Sequence, residues 1–392
     1  MPAAGRNDQL VGRNDESLET LHRFIFQDAR DLNHLSDQSV DLIVTSPPYP
    51  MIEMWDRQFV RMNSDTGLFL KKNDYRGAHE AMHRVLDRVW LELYRVMKEG
   101  AYACINIGDA TRTINGRFRL FVNHARIQMK FIEIGFDALP LILWRKQTNA
   151  PTKFMGSGML PAGAYVTLEH EYILIFRKGN RRRFETAEEK LNRMQSAYFW
   201  EERNNWFSDV WDFKGIRQDI NNRELRARSA AYPFELPFRL INMYSVFGDT
   251  VFDPFAGTGT TALAAMAAGR NSISCEIDSS FQETVKAEIC QTVPTLNRHN
   301  LERIKKHYGF IRKYNQEGKN LKHANTYFKF PVMTGQESEL KLVFIKSVAE
   351  TEKGGFEISY FDDQLVQGLD FELLTEEDLH PDNNGFQPTF SF

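Results

Sequence analysis

Short runs of apolar residues recur along the chain and alternate with longer segments in which apolar residues repeat every three to four positions. The short runs predict strands, and the longer segments predict amphipathic helices. The predicted strands lie at residues 22–27, 40–45, 101–107, 138–145, 171–177, 250–253 and 271–276. The predicted helices lie at residues 79–98, 118–134, 233–245, 260–268 and 279–290. This alternation predicts an α/β fold with a doubly wound, mostly parallel sheet.

Segments that interrupt the alternation divide the chain. Residues 1–20 predict a flexible leader, and residues 50–78 predict a loop with short helices. Residues 178–230 are polar, arginine-rich and aromatic, which predicts a region inserted between two halves of one domain, 21–177 and 231–298.

The remaining residues, 299–392, predict a C-terminal extension. It begins with a basic helix at 301–314 and continues with candidate strands at 340–348 and 356–361. An acidic tail ends the chain.

Composition and charge narrow the possible partners. Apolar residues make up 42% of the 392 residues, which suits a globular protein with a large core. The three cysteines form no CxxC pair, so buried, reduced thiols and no metal site are expected. Without a signal core or an apolar run of about 18 residues, a cytoplasmic protein with no membrane partner is expected.

The net charge of −3 conceals an asymmetry, because residues 350–392 hold eleven acids and one base. The rest of the chain therefore carries about +7, which suits a polyanionic partner. The tail is either a solvated end or a competitor with nucleic acid for the basic body.

A glycine-rich segment, DPFAGTGTT at residues 253–261, lies between a predicted strand and a predicted helix. Gly257 and Gly259 permit a tight turn and a close approach of the backbone to a ligand. One strand further on, Glu276 can accept hydrogen bonds from a ribose. The segment lacks the lysine of a P-loop and the third glycine of the dinucleotide fingerprint. The tight turn, the start of the following helix and Glu276 together predict a ligand with a nucleoside and a small anionic group.

A second segment, TSPPY at residues 45–49, follows the predicted strand at 40–45. Its two prolines stiffen the backbone and remove two donors, which leaves carbonyl acceptors, the Ser46 hydroxyl and the Tyr49 ring. This set suits the exocyclic amine of cytosine or adenine, whose lone pair is delocalised into the ring. Acceptors that bind both N–H groups can localise this lone pair on the nitrogen. The nitrogen can then attack an electrophilic carbon that is held in line with it. A paired base must first be flipped out of the duplex.

Together the two segments resemble the cofactor and catalytic motifs of the amino-group DNA methyltransferases, which methylate cytosine N4 or adenine N6. The catalytic motif comes first in this chain, as in the permuted beta group of that family. The resemblance covers about residues 22–177 and 230–290. It implies a Rossmann-like methyltransferase fold, S-adenosylmethionine as the cofactor and double-stranded DNA as the substrate.

The resemblance also implies residue roles. Ser46 and the carbonyl of Pro47 hold the target amine. Pro48 stiffens the loop, and Tyr49 stacks on the base. The residues implied to bind the cofactor are Asp28, Thr45, Pro233, Phe234, Glu235, Asp253, Pro254, Phe255, Gly257, Thr258, Gly259, Thr260 and Glu276. Tyr232 stands where the family usually has a histidine before the proline, and Asp28 could equally cap a turn.

Two further features of the sequence predict which base is methylated and which residues bind the DNA. Serine before Pro-Pro-Tyr more often marks cytosine-N4 enzymes, so cytosine is favoured and adenine N6 is the alternative. Residues 177–228 hold thirteen Lys or Arg and nine acids among many aromatics, which suits DNA recognition. Arg181, Arg182 and Arg183 are the expected phosphate contacts, although such a run is often a solvated turn.

The predicted function is direct methyl transfer to a flipped base, with no covalent adduct because no Pro-Cys motif is present. The family implies host protection beside a cognate restriction endonuclease, or epigenetic marking. Methylation of RNA or protein is an alternative that the permuted motif order argues against. A non-catalytic DNA-binding subunit is another, and the intact segments at 46–49 and 257–259 argue against it.

Overall fold

The computed structural model describes residues 18–146, 155–214, 232–352 and 354–362. The strands are β1 (Glu19–Phe26), β2 (Val40–Thr45), β3 (Met97–Ile107), β4 (Ala110–Ile114), β5 (Arg117–Phe121), β6 (Phe136–Arg145), β7 (Met155–Gly156), β8 (Ala164–Tyr165), β9 (His170–Lys178), β10 (Val210–Asp212), β11 (Thr250–Asp253), β12 (Asn271–Glu276), β13 (His323–Ala324), β14 (Pro331–Val332), β15 (Ile345–Glu350) and β16 (Phe356–Tyr360). The helices are α1 (Asp56–Met62), α2 (Ser64–Lys71), α3 (Tyr75–Val96), α4 (Asn123–Ile134), α5 (Ala187–Gln195), α6 (Trp200–Trp206), α7 (Glu235–Tyr244), α8 (Thr260–Ala267) and α9 (Gln282–Gln316). Short 3-10 helices lie at Glu53–Trp55, Ser279–Phe281 and Gly335–Glu337.

Ten strands form one sheet in the order β10-β6-β9-β3-β2-β11-β12-β1-β16-β15. The five neighbouring strands β3, β2, β11, β12 and β1 are parallel. β9 runs antiparallel to β3 and β6. Because the five central strands run in one direction, their carboxyl ends share one edge of the sheet. The predicted α/β fold with a mostly parallel sheet is confirmed.

Helices cover both faces of this sheet, and β2 shows why. Its side chains alternate, so that Ile43 joins the buried cluster under α3 and α4, whereas Leu42 and Val44 join the cluster under α7, α8 and α9. All six residues of the strand are buried, as its continuous apolar run predicts.

The helix predicted at 118–134 is wrong in its first part. Residues Arg117–Phe121 form β5, which pairs with β4 in a hairpin, and α4 begins at Asn123. The hairpin turns at Asn115 and Gly116, which both have positive φ angles, 50° and 71°. An Asn-Gly pair between two short strands is a strong hairpin signal, and it marks this turn in the sequence.

The predicted division at residue 298 is also wrong, because it falls inside α9. The helices predicted at 279–290 and 301–314 are one helix that contains Pro294. Buried asparagines on this helix bind the extension: Asn297 donates to the Ile345 carbonyl at 2.9 Å, and Asn300 donates to the Val343 carbonyl at 2.8 Å. β16 then pairs with β1, so the extension is part of the main sheet.

The two ends and the insertion differ from their predicted bounds. Thr20, placed in the leader by the prediction, lies in β1, because it is buried and hydrogen-bonded to Tyr360. The inserted region contributes β10 to the sheet and the buried Trp206 and Trp211 to its core. Residues 1–17, 215–231 and 363–392, including the acidic tail, lie outside the described residues.

Two observations bear on composition. Cys104 and Cys275 are buried, but Cys290 is exposed on α9, so the prediction of buried thiols is wrong for that residue. In the part of the chain that the structure describes, no helix combines the length and the apolar composition needed to span a membrane.

Candidate active site

The two chemically informative segments meet at the carboxyl edge of the sheet. β2 ends at Thr45 and β11 ends at Asp253, and these parallel strands are neighbours with Ile43 opposite Phe252. The TSPPY segment and the glycine-rich segment therefore leave the sheet side by side, which is where an open parallel sheet binds its ligands.

Asp253 anchors both segments. Its buried carboxylate accepts hydrogen bonds from the hydroxyls of Thr45 and Thr261, each at 2.5 Å, from the Tyr232 hydroxyl at 3.1 Å and from the Phe255 backbone N–H at 3.0 Å. Burial raises the pKa of Asp253, and the hydrogen bonds from Thr261 and Thr45 oppose that shift. Burial also raises the pKa of Tyr232 well above its ordinary value, so its phenol stays protonated and donates.

The glycine turn depends on backbone angles that other residues rarely adopt. Gly257 and Gly259 have φ angles of 52° and 86°, and Gly259 caps the start of α8. The Gly257 N–H donates to Glu276 Oε2 at 2.9 Å, while Glu276 Oε1 accepts from the Asp278 N–H at 2.9 Å. Burial raises the pKa of Glu276. Each carboxylate oxygen keeps a further acceptor position, which a ribose hydroxyl can use.

A cleft of about 930 Å³ opens between the two segments. The predicted site residues that line it are Asp28, Ser46, Pro47, Pro48, Asp253, Pro254, Phe255, Gly257, Thr258, Thr260 and Glu276. A volume of this size lies within the usual range of small-molecule and cofactor sites. Thr45 and Gly259 do not line the cleft but hold residues that do.

Three further predicted cofactor residues, Pro233, Phe234 and Glu235, do not line the cleft either. Phe234 stacks on Phe238 in the core, because the first turn of α7 faces α9. In this segment Tyr232 is the residue that reaches the cleft.

Asp28 lies at the opposite end of the cleft, after β1. Its carboxylate binds the Arg30 guanidinium at distances from 2.5 to 3.0 Å and also accepts from the Arg30 backbone N–H at 2.9 Å. Burial would raise the pKa of Asp28, but the Arg30 hydrogen bonds outweigh it and the pKa is lowered. A carboxylate therefore faces the cleft at this end too.

The far wall of the cleft lies in residues 50–78, the segment that the sequence predicts as a loop with short helices and as a candidate to close over DNA. It is built by the 3-10 helix and α1, which supply Trp55, Phe59 and the exposed Arg57 and Arg61. The aromatic residues in an otherwise irregular segment directly after the catalytic loop are the signal that could have identified this wall.

Behind the catalytic loop, Ser46 and Tyr49 belong to a polar cluster with three residues that sequence reasoning missed, Asn106, Glu171 and Lys146. The Tyr49 cluster consists of Ser46, Tyr49, Asn106, Glu171 and Lys146. The Tyr49 hydroxyl donates to Glu171 Oε2 at 2.8 Å and accepts from the Ser46 hydroxyl at 3.2 Å. Asn106 Nδ2 donates to Glu171 Oε2 at 2.7 Å and to the Tyr49 hydroxyl at 2.9 Å, and Lys146 forms an ion pair with Glu171 Oε1.

Burial, followed by the negative charge of Glu171, raises the pKa of Tyr49 well above its ordinary value. The phenol is therefore a neutral donor. Asn106 and Glu171 were recognisable in principle, since each is a polar residue within or next to the apolar run of its strand, near the strand end on the cleft side.

The arginine run does not lie at this edge. Arg182 binds both oxygens of Asp249, at 2.9 and 2.7 Å, and lies 3.8 Å from Asp41. Asp41 is in the first part of β2 and Asp249 precedes β11, so Arg181, Arg182 and Arg183 lie at the amino ends of the strands. Two buried carboxylates hold Arg182 at the edge of the sheet opposite the TSPPY segment, and the phosphate contacts expected of the three arginines stay a prediction.

Residues 40–287 match the model of a family of DNA methylases that act on N6 or N4 amines. The chain belongs to this DNA methylase family. The match covers strands β2 to β12 in chain order and both cleft-lining segments. It confirms the predicted membership of the amino-methyltransferases.

Individual relatives agree with this assignment. The methylase is 49% identical to the type II methyltransferase M.MthZI of Methanothermobacter thermautotrophicus over 345 residues, 88% of this chain and 96% of that protein. It is 48% identical to the type II methyltransferase M.MjaI of Methanocaldococcus jannaschii over 283 residues, 69% of this chain and 92% of that protein. Among solved structures, a putative DNA modification methylase from Thermus thermophilus, complexed with S-adenosyl-L-methionine, is 33% identical with a TM-score of 0.54, covering 70% of this chain and 95% of that one.

The methylase uses S-adenosylmethionine to methylate an exocyclic amine of DNA. The cleft residues fit this cofactor. Asp28, Asp253 and Glu276 place carboxylates around a cleft that must hold a cationic sulfonium, and Phe255 adds an aromatic face. Gly257 would bring the backbone close to the nucleoside, and Glu276 would accept hydrogen bonds from its ribose.

Proposed function

We propose that this methylase is a site-specific enzyme that methylates the N4 amine of cytosine in duplex DNA. The observation that carries the proposal is the position of Ser46, whose neutral hydroxyl lines the cleft beside Pro47 and the cofactor segment. The family's cytosine enzymes more often have serine at this position. Adenine N6 is the second candidate, since a neutral acceptor can also bind that amine.

The chain's own residues orient the amine. Ser46 Oγ and the Pro47 carbonyl accept its two N–H groups, and Pro48 keeps the loop rigid, so the nitrogen lone pair is directed towards the cofactor side of the cleft. S-adenosylmethionine, when bound, supplies an electrophilic methyl group. Because the cleft lies at the edge of the sheet, the base must leave the duplex to reach it.

DNA binding is proposed for the wall formed by the 3-10 helix and α1. Arg57 and Arg61 are exposed and line the cleft mouth, where they can bind phosphates on either side of the flipped nucleotide. The part of the predicted recognition region at 215–230 lies outside the described residues, and it stays a candidate for reading the target sequence.

The biological setting proposed is a type II restriction–modification system with a cognate endonuclease. The supporting observation is that M.MthZI and M.MjaI are type II methyltransferases. Each is identical to this chain at nearly half of the aligned residues.

One assay tests the proposal. The protein is incubated with tritiated S-adenosylmethionine and duplex DNA, RNA or protein, and labelled DNA is digested to nucleosides. Label in N4-methylcytosine is the expected result. Label in N6-methyladenine establishes the second candidate, and label only in RNA or protein overturns both.

A further inference from the structure

The Tyr49 cluster has a fixed direction of hydrogen bonding. Glu171 is paired with Lys146, and an ionised carboxylate can only accept hydrogen bonds. The Tyr49 hydroxyl must therefore donate its one proton to Glu171, at 2.8 Å. Asn106 donates to the same Glu171 oxygen, so its amide orientation is set by the carboxylate as well.

The direction of the Tyr49–Glu171 hydrogen bond also determines the direction of the Ser46–Tyr49 hydrogen bond. With its proton committed to Glu171, the Tyr49 oxygen acts only as an acceptor, and the Ser46 hydroxyl donates to it at 3.2 Å. A serine hydroxyl can otherwise rotate and serve as donor or acceptor. Here its proton points away from the cleft, so that Ser46 presents lone pairs to whatever base enters.

Glu171 can impose this order because the sheet holds it. It lies on β9, where it is opposite Trp144 of β6, while Asn106 lies on β3 opposite Ile173 of β9. Both side chains are buried. The acceptor at the end of the chain of hydrogen bonds is thus fixed to rigid strands, whereas Ser46 and Tyr49 lie on a loop.

We propose that Glu171 is a positioning and specificity-determining residue, which orients Tyr49 and through it makes Ser46 an obligate hydrogen-bond acceptor. The site then favours a base with an amine at this position over a base with a carbonyl there. Cytosine satisfies Ser46, whereas uracil or thymine places two acceptors against each other. The inference rests on the proposed function, because it concerns the amine that this site methylates.

The first variant is Glu171→Gln, which keeps the shape but can donate to the Tyr49 oxygen. We expect kcat to fall about 10- to 100-fold, as is usual when a residue that orients a contacting group is changed, with little change in the affinity for S-adenosylmethionine. The matched control is Glu169→Gln, two residues earlier, where a half-exposed carboxylate faces Arg145 at 3.7 Å. This control is expected to keep wild-type turnover.

The decisive readout is discrimination, which a purely structural role does not change. Binding is measured by competition, in the presence of S-adenosylhomocysteine, between duplexes with cytosine or uracil at the target position. The wild-type protein is expected to prefer cytosine, and Glu171→Gln is expected to lose about tenfold of that preference, the value of one well-placed hydrogen bond. Unchanged preference in a folded Glu171→Gln protein overturns the inference.

A second variant tests the same chain of hydrogen bonds if Glu171→Gln does not fold. Tyr49→Phe removes the hydroxyl relay but leaves Glu171 with Lys146 and Asn106. It is expected to lose the same preference, and adding Glu171→Gln to it is expected to change the preference no further. Full additivity of the two changes contradicts the relay. A wild-type protein that labels no DNA contradicts the proposed function instead, so the two failures are distinguishable.

Discussion

Thr45 and Asp253 are 208 positions apart in the sequence, yet the Thr45 hydroxyl donates to Asp253 Oδ1 at 2.5 Å. Both residues are buried, and each is the last residue of its strand. The bond therefore fixes the start of the catalytic loop against the start of the cofactor loop.

Thr45→Val tests that connection, because valine has nearly the same shape but no hydroxyl. Asp253 Oδ1 would keep only the Phe255 N–H. We expect the free energy of unfolding to fall by about 1–3 kcal/mol and single-turnover methylation to slow about tenfold through misalignment of the two loops. Denaturant unfolding and rapid-quench assays measure the two effects.

Thr20→Val is the matched control for that variant. Thr20 is equally buried, but its hydroxyl binds His22 and Tyr360, both at 2.9 Å, away from the cleft. It is expected to lose a similar amount of stability at an unchanged methylation rate. If both variants slow the reaction equally, the Thr45–Asp253 bond has no special role in catalysis.

Much of this architecture was predictable because its signals are local. The continuous apolar run of β2 reports burial on both faces, and a Ser-Pro-Pro-Tyr or Gly-x-Gly segment after a strand reports a loop at a carboxyl end. The parallel order of the strands then brings such loops together. Ser46, Gly257 and Glu276 could thus be placed near one another before their distances were known.

Other features depend on pairings that no local pattern carries. Arg182 is one arginine among three consecutive ones, and only the fold brings it to the buried Asp249. The contacts of α9 beyond Pro294 are equally non-local, because Asn297 donates to Ile345 and Asn300 donates to Val343, more than 40 positions along the chain. Glu171 became part of the site only because β9 runs antiparallel beside β3.

Gly108 is predicted to be required for the position of Tyr49. It has no unusual φ angle, but a Cβ atom there would lie 2.9 Å from the Tyr49 ring. Gly108→Ala should therefore displace the ring and reduce kcat about tenfold or more by misplacing the catalytic loop. Steady-state kinetics, with a thermal melt to check folding, measure the effect.

Gly309→Ala is the control for added volume, since a Cβ atom at that position of α9 meets no atom within 4 Å. Alanine in a helix is expected to be neutral or to stabilise by up to about 1 kcal/mol. Wild-type kinetics in Gly108→Ala would show that Tyr49 can move without consequence.

Cofactor affinity is predicted to depend on the ionisation of Glu276. Burial raises its pKa above the ordinary value of 4.5, so the carboxylate takes up a proton at a higher pH than a free glutamate does as the pH falls. Since a protonated carboxyl loses acceptor capacity for the ribose, the affinity for S-adenosylmethionine should decrease as the pH falls through that raised pKa. Calorimetric titration from about pH 8 to about pH 4.5 covers the range.

Glu276→Gln separates this effect from the titration of Asp253. The amide cannot ionise, so binding should be about tenfold weaker at neutral pH and the difference from the wild-type protein should shrink as the pH falls. A difference that stays constant over the whole range would mean that Glu276 ionisation does not control the cofactor.

Arg182 is predicted to act on stability and not on DNA binding. Burial and then repulsion from Asp41 raise the pKa of Asp249, and Arg182 opposes both. Arg182→Ala should lower the free energy of unfolding by about 1–3 kcal/mol at neutral pH. This loss is smaller than that expected on breaking a fully buried ion pair, because the arginine is partly exposed. A carboxyl whose folded pKa is raised destabilises the fold above that pKa, so the cost should diminish at low pH as Asp249 protonates.

DNA affinity and its salt dependence should be unchanged in Arg182→Ala, because the six residues of β2 separate this arginine from the cleft edge by about 20 Å. Arg181→Ala, an exposed neighbour, should change neither stability nor affinity. The measurements are unfolding curves at several pH values and binding isotherms at several salt concentrations. A smaller salt slope in Arg182→Ala would return the arginine run to the DNA interface, since each lost phosphate contact reduces that slope by about 1.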